Sequence, residues 1–269
     1  MRRCAMFSLS FMRYAFVAGT FIAIVSGVIG VFVVARNMPF MTHTLSEIGF
    51  AGASFALFMG WPALNGMLLF TILSSVMVGQ LSIDESRRES VISAVSALFI
   101  GLGILFLYLS SKTASSATSI LFGSVVGISQ HEVTQLVCLS VVVLVIVFFI
   151  YRKLKFSSFD PEGAAANGLN ETVISVIFLL LLAMSVSVAV QIVGTLLIFV
   201  LLTLPAASAK YYTTGTAKMI GLAILFALLG IWLGLYLAYI TNWPVSFFTS
   251  TIEVLIYLSA LLYRQRAND

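Results

Sequence analysis

The sequence predicts an all-α integral membrane protein, a polytopic bundle of eight or nine transmembrane helices. Its composition and its long apolar runs carry this prediction. Hydrophobic residues make up 61% of the 269 residues and charged residues only 9%, with a mean hydropathy of +1.11. A soluble domain has about 45–50% apolar and about 25% charged residues. We therefore expect residues 1–269 to form a single transmembrane domain.

Runs of roughly 20 apolar residues, the length that crosses a bilayer as a helix, recur along the chain. They predict spans near residues 15–35, 40–60, 64–81, 91–109, 132–151, 173–190, 191–209, 217–240 and 244–263. The uncharged stretch from Thr172 to Ala209 is about twice too long for one crossing at about 1.5 Å per residue. We expect it to fold back near Gln191.

The basic residues fall at alternate junctions between these runs, which the positive-inside rule assigns to the cytoplasm. They are Arg36, Arg87 with Arg88, Arg152 to Lys155, Lys210 with Lys218, and Arg264 with Arg266. With nine spans and a cytoplasmic C-terminus, the N-terminus would lie outside the cell. Arg2, Arg3 and Arg13 instead favour a cytoplasmic N-terminus. Two explanations stay open: an outer interfacial helix at the N-terminus, or a segment, 40–60 or 173–209, that does not cross as a simple rod.

The net charge of +4 does not predict a nucleic-acid partner, because the basic residues form short clusters rather than one patch interleaved with aromatics. Cys4 and Cys138 are too few for a disulfide framework or a thiolate metal site. The excess of positive charge is therefore interpreted as a topological signal.

His43 and Glu47 are the most informative residues, because they are ionisable and stand at the head of an apolar run. Residues i and i+4 share one helical face, so an imidazole and a carboxylate converge where hydrocarbon would exclude both. Ionisable groups in such a position mark functional sites. The alternative is a His–Glu pair that only pins two helices.

Residues 152–172 form the only sizeable hydrophilic stretch and have the layout of a short capped helix. Ser158 or Asp160 can cap its start before Pro161, Ala164 to Ala166 favour a helix, and Asn167-Gly168 ends it. Such a helix, parallel to the membrane, suits a groove on another protein. A solvated connector is the alternative.

Two further polar residues fall within apolar runs. Glu253 is nine residues beyond Pro244, near mid-membrane, so we expect it to face the interior and hydrogen-bond a neighbouring helix, or to face a transport pathway. Gln191 either satisfies backbone groups at the predicted turn or lines that pathway.

Five segments, in order over most of the chain, resemble the permease subunits of the zinc/manganese ABC importer family. They are Gly27 to Met38, His43 to Gly52, Leu121-Phe122-Gly123, Phe159 to Gly168, and Val193 to Ala209. The resemblance implies a permease domain with the architecture of cobalamin and siderophore ABC permeases, in a bacterial cell membrane. In this family the helical pair is usually Asp then His, whereas His43 and Glu47 reverse the two chemical types.

The resemblance implies a permease that takes up Zn²⁺ or Mn²⁺ by alternating access, with no permanently bound cofactor. Its expected partners are a second permease copy, identical or not, cytoplasmic ABC ATPase subunits and an extracellular metal-binding protein. His43 and Glu47 would be metal ligands in the translocation path. The loop residues that would couple to the ATPase are Asp160, Glu162, Ala164, Ala165 and Gly168. The chain should hydrolyse no ATP, because it lacks the phosphate-binding G-x-x-x-x-G-K-[ST] motif.

Three alternatives stay open at this point. A related permease could carry a metal chelate such as a siderophore or cobalamin, although the acid–imidazole pair favours a bare ion. A secondary metal transporter would be expected to show internal repeats, and no convincing repeat is visible. A membrane zinc peptidase would need His-Glu-x-x-His, whereas the spacing here is His-x-x-x-Glu.

Overall fold

The computed structural model describes residues 10–81, 88–110 and 129–268. Within these ranges the chain forms ten helices and no strand. They are α1 (Ser10–Ala35), α2 (Pro39–Met59), α3 (Ala63–Leu81), α4 (Arg88–Leu109), α5 (Gln130–Phe159), α6 (Pro161–Ala166), α7 (Glu171–Val193), α8 (Thr195–Tyr212), α9 (Thr216–Thr241) and α10 (Val245–Asn268). The predicted all-α class is confirmed.

Nine of these helices match the nine predicted spans in position. Seven of them, α1, α3, α4, α5, α7, α9 and α10, are long and apolar enough to cross a membrane. Helix α8 is apolar but shorter. Helix α2 is less apolar, because it carries His43, Glu47 and several glycine, serine and threonine residues. The prediction of a bundle of eight to nine transmembrane helices is in keeping with this architecture.

The chain reverses direction between α7 and α8 at Gly194, close to the predicted turn. Gly194 is the single residue between the two helices and has a φ of 85°, which glycine adopts without strain. Ser175, near the start of α7, receives a hydrogen bond from Arg36. Ala206, near the end of α8, packs with Val31. Since Arg36 and Val31 lie at the same end of α1, α7 leaves that end and α8 returns to it.

Several basic helix ends lie together at this end of the bundle. Arg36 donates a hydrogen bond to Ser158 in the last turn of α5. Arg264 of α10 lies over the ring of Tyr211, at the end of α8, with 5.4 Å to its centroid. This grouping agrees with the predicted cytoplasmic junctions. The start of α1 lies at the opposite end, as a nine-span layout requires; residues 1–9 and the Leu121-Phe122-Gly123 segment fall outside the described ranges.

Helix α2 lies at the centre of the fold, against α3, α4, α7 and α8. It approaches two of these neighbours at glycine residues. A Cβ atom on Gly52 would meet the backbone of Gly66 in α3, and a Cβ on Gly103 in α4 would lie 2.6 Å from the backbone of Ala51. Small residues allow such close approach of membrane helices. The position of α2 is therefore fixed by backbone-to-backbone packing.

Gly52→Ala is expected to destabilise the protein, because the new methyl group would meet backbone that cannot rotate away. Overpacking of this kind costs about 1–3 kcal/mol. The measurement is the unfolding temperature of the purified protein in detergent. Gly101→Ala on α4 is the control, because a Cβ there meets no described atom within 4 Å. Equal unfolding temperatures for the two variants would contradict the packing argument.

Candidate functional site

His43 and Glu47 lie side by side on the one open face of the first half of α2. Pro39 occupies the first turn of the helix, where its missing N–H is not needed. The Nδ1 atom of His43 is 3.6 Å from Oε1 of Glu47, and the two side chains are 47% and 41% exposed. The residues around them on the helix, Met41, Thr42, Thr44, Leu45, Ser46 and Ile48, are buried. The convergence of the pair expected from their spacing is therefore present.

Two other helices flank the pair. Ser96 of α4 donates a hydrogen bond from Oγ to Oε2 of Glu47 at 3.3 Å. The ring of Phe199 of α8 meets the imidazole of His43 edge-on, with 5.5 Å between centroids. Sequence reasoning missed both residues, because a serine or phenylalanine in an apolar run gives no signal of its own. Together they hold the imidazole and the carboxylate between α4 and α8.

The pair offers a divalent ion one nitrogen and one or two oxygen atoms. In the part of the chain that the structure describes, no three His, Cys, Asp or Glu side chains converge. Structural zinc sites use four protein ligands and hold their ion tightly. Two side chains on a half-exposed face leave most of an ion's coordination positions to water or to other ligands. Such an arrangement is suited to brief contact with an ion.

A bundle of long apolar helices with an imidazole and a carboxylate on an open face of a central helix is an arrangement that suits a membrane transport subunit. Residues 8–264 match the ABC 3 transport family, and the chain belongs to this family. It is thus similar to a set of known transport proteins over nearly its whole length.

Two of these relatives are manganese transport proteins by name. The chain is 30% identical to the manganese transport system membrane protein MntC of Listeria monocytogenes serovar 1/2a, over 94% of this chain and 91% of the relative. It is 26% identical to the manganese import system permease protein ScaB of Streptococcus parasanguinis, over 88% and 84%. Among solved structures, PsaBC from Streptococcus pneumoniae in complex with Fab superimposes with a TM-score of 0.84 at 24% identity, covering 94% of this chain and 91% of that one.

The chain is therefore a permease subunit of an ABC transporter, located in the plasma membrane, and not an enzyme. This confirms the family resemblance drawn from its motifs. Membership of the family implies that it works with ATPase and substrate-binding partners.

Helix α6 is the short capped helix expected in the hydrophilic loop. Of the two candidate caps, Asp160 is used: its Oδ1 accepts a hydrogen bond from the Gly163 N–H at 3.0 Å. The helix ends at Ala166 with Asn167 as its C-cap, and Gly168 follows with a φ of 74°. The Leu169 N–H then donates to the carbonyl of Ala164 at 3.1 Å, which closes the C-terminus.

The predicted coupling residues divide between the two faces of α6. Ala164 is 1% exposed and anchors the helix against the bundle, where α6 packs on α5 and α7. Glu162 and Ala165 are exposed on the other side. A partner protein would therefore meet Glu162 and Ala165, whereas Ala164 holds α6 in place.

Glu253 lies in the interior, as expected, but without the expected hydrogen bond. Its side chain is 0% exposed, and its carboxylate lies against Gly230 of α9. Neither oxygen has a hydrogen-bond partner among the described residues. The expectation of a polar partner on a neighbouring helix is wrong, because α9 presents a glycine at this point. The side chain of Gln191 lies outside the described part of the structure.

Glu253→Met is expected to raise the unfolding temperature or leave it unchanged, because the substitution removes a buried polar group with no partner at similar volume. An unpaired buried polar group costs about 1–3 kcal/mol in proteins. Thermal unfolding in detergent is the measurement, with Glu89→Met, at an exposed position of α4, as the control. A clear loss of stability confined to Glu253→Met would show that the carboxyl group has a stabilising partner.

Proposed function

We propose that this chain is the permease of an importer that takes up a divalent transition-metal ion, Mn²⁺ or Zn²⁺, by alternating access. His43 and Glu47 bind the ion transiently as it crosses. The main observation behind the proposal is an imidazole 3.6 Å from a carboxylate on the open face of a central helix, with buried residues on either side of the pair. The manganese transport named in the relatives supports the choice of cargo.

The number of ligands supports transport rather than storage. An ion that enters hydrocarbon must exchange its hydration shell for other ligands, but a complete four-ligand cage would retain it. Among the residues that the structure describes, one chain supplies the pair His43 and Glu47, and a second permease copy across a shared axis would bring an equivalent pair. That copy, identical or not, would also cover a face that is costly to expose to lipid, since a charge at the bilayer centre costs about 2.5–3.5 kcal/mol on insertion scales.

The docking positions of the other two partners are inferred from the two ends of the bundle. The cytoplasmic ATPase docks against α6, because this helix is capped at both ends, exposes Glu162 and Ala165, and lies at the basic end. An extracellular metal-binding protein delivers the ion at the opposite end. Residues 1–269 act as one permease domain throughout.

Uptake by the reconstituted complex tests this proposal. We expect proteoliposomes that hold the permease, its ATPase and its binding protein to accumulate Mn²⁺ or Zn²⁺ only when ATP is hydrolysed, and not with a non-hydrolysable analogue. Accumulation of a ferric siderophore or of cobalamin, without uptake of the bare ions, would assign the chain to chelate transport. Ion uptake driven by a proton gradient without ATP would assign it to secondary transport.

A further inference from the structure

Arg36 begins the turn that follows α1, and its guanidinium group joins two other helices there. Its Nε donates to Ser158 Oγ at 2.8 Å and its Nη2 to Ser157 Oγ at 2.9 Å, both in the last turn of α5. Its Nη1 donates to Ser175 Oγ of α7 at 3.1 Å. The same group lies over the ring of Phe178, 5.0 Å from its centroid. One side chain thus links α1, α5 and α7.

These contacts lie between the helix that would meet the ATPase and the helix that carries the candidate metal ligands. Ser158 precedes the Asp160 cap of α6 by two residues. On the other side, α2 starts at Pro39, three residues after Arg36. His43 lies one helical turn further, about 6 Å at 1.5 Å per residue. Arg36 therefore connects the end of α5, next to α6, with the corner from which α2 and His43 begin.

The corner between α1 and α2 has room to move. A cavity of about 200 Å³ lies beside Arg36 and is lined by the corner residues Asn37 and Met38 together with Pro161 of α6 and Glu171 of α7. Asn37 has a φ of 53°, a left-handed conformation that is uncommon outside glycine. A displacement of α6 can therefore be taken up at this corner without compressing a solid core.

We propose that Arg36 transmits the movement of α6 to the α1–α2 corner and so sets the position of His43 and Glu47. This inference rests on the proposed function. Arg36 is a positioning residue, because it does not touch the candidate ligands. Its planar group carries several donors in a fixed arrangement, which lysine cannot reproduce with a single charged nitrogen. The hydroxyl groups of Ser157, Ser158 and Ser175 accept these hydrogen bonds from three different nitrogen atoms of the guanidinium group.

The test compares ATP hydrolysis and uptake in the complex reconstituted with its ATPase and binding protein. In Arg36→Gln we expect normal assembly and normal basal hydrolysis, but a fall of roughly 2- to 30-fold in metal uptake per ATP, the range of coupling effects seen in proteins. The KM for the loaded binding protein should stay the same while the maximal uptake rate falls. Arg36→Lys should recover only part of the coupling. Arg152→Gln, an exposed cationic position on α5, is the control for loss of charge.

Two further variants keep the test decisive if Arg36→Gln does not assemble. Ser175→Ala and the double variant Ser157→Ala/Ser158→Ala remove the acceptors while Arg36 remains, and each should lower uptake per ATP. Unchanged uptake per ATP in Arg36→Gln, or in all the serine variants, would overturn the inference. So would a parallel loss of basal hydrolysis, uptake and thermal stability, which indicates a purely structural contact. If His43→Ala still abolishes uptake in these cases, the proposed function stands without this inference.

Discussion

Metal uptake is expected to fall by at least about 100-fold when His43 is replaced by alanine or Glu47 by glutamine, because loss of a second-shell partner alone costs 10- to 100-fold in metal sites. Each substitution removes one of the two proposed ligands that converge on the open face of α2. Folding should be unaffected, since both side chains are half exposed and make few contacts. The measurement is initial uptake of Mn²⁺ and Zn²⁺ by the reconstituted complex.

The controls for this prediction use the same residue types elsewhere in the chain. His131→Ala at the start of α5 and Glu89→Gln at the start of α4 change exposed positions outside the pair. Both should transport at the normal rate. Wild-type uptake in His43→Ala and Glu47→Gln would remove the pair from the pathway, and a loss of assembled complex would show instead that it pins helices.

Ala165→Arg should uncouple ATP hydrolysis from transport. Ala165 is exposed on α6, a helix of six residues. If α6 enters a groove on the ATPase as proposed, the small side chain of Ala165 is needed for the fit. We expect stimulation of hydrolysis by the loaded binding protein to be lost and uptake to fall with it. The readouts are co-purification of the ATPase and stimulated hydrolysis in the same preparation.

Ala165→Ser is the matched control, because serine keeps the position small and should behave as wild type. Ala164→Leu tests the other face, where the side chain is buried against the bundle, and should reduce the stability of the permease itself. Normal co-purification and normal stimulation in Ala165→Arg would place the ATPase contact away from α6.

The number and position of the long helices could be predicted because apolar length is a local property of the chain. The placement of His43 and Glu47 on one face of a helix could be predicted for the same reason, because residues separated by four positions lie on the same face. The caps of α6 were also readable, because Asp160 and Gly168 act on backbone groups within a few residues.

The contacts between helices could not be predicted from the local sequence. Ser96 and Phe199 reach the pair from α4 and α8, and nothing in their local sequence indicates this. Among the described residues, Glu253 has no hydrogen-bond partner, and its neighbour Gly230 lies on another helix. Arg36 was informative only as a positive charge at a junction, whereas its role in the fold depends on serines more than 120 residues away.

During synthesis, α2 has to enter the bilayer although it is less apolar than its neighbours and carries two ionisable side chains. Only residues 60–62 separate α2 from α3, with Gly60 in a left-handed turn at φ 71°. The contact between Gly52 and Gly66 can therefore form as soon as both helices exist. From this short connection and close contact we expect α2 and α3 to insert together as a helical hairpin, with the more apolar α3 assisting the entry of α2 into the membrane.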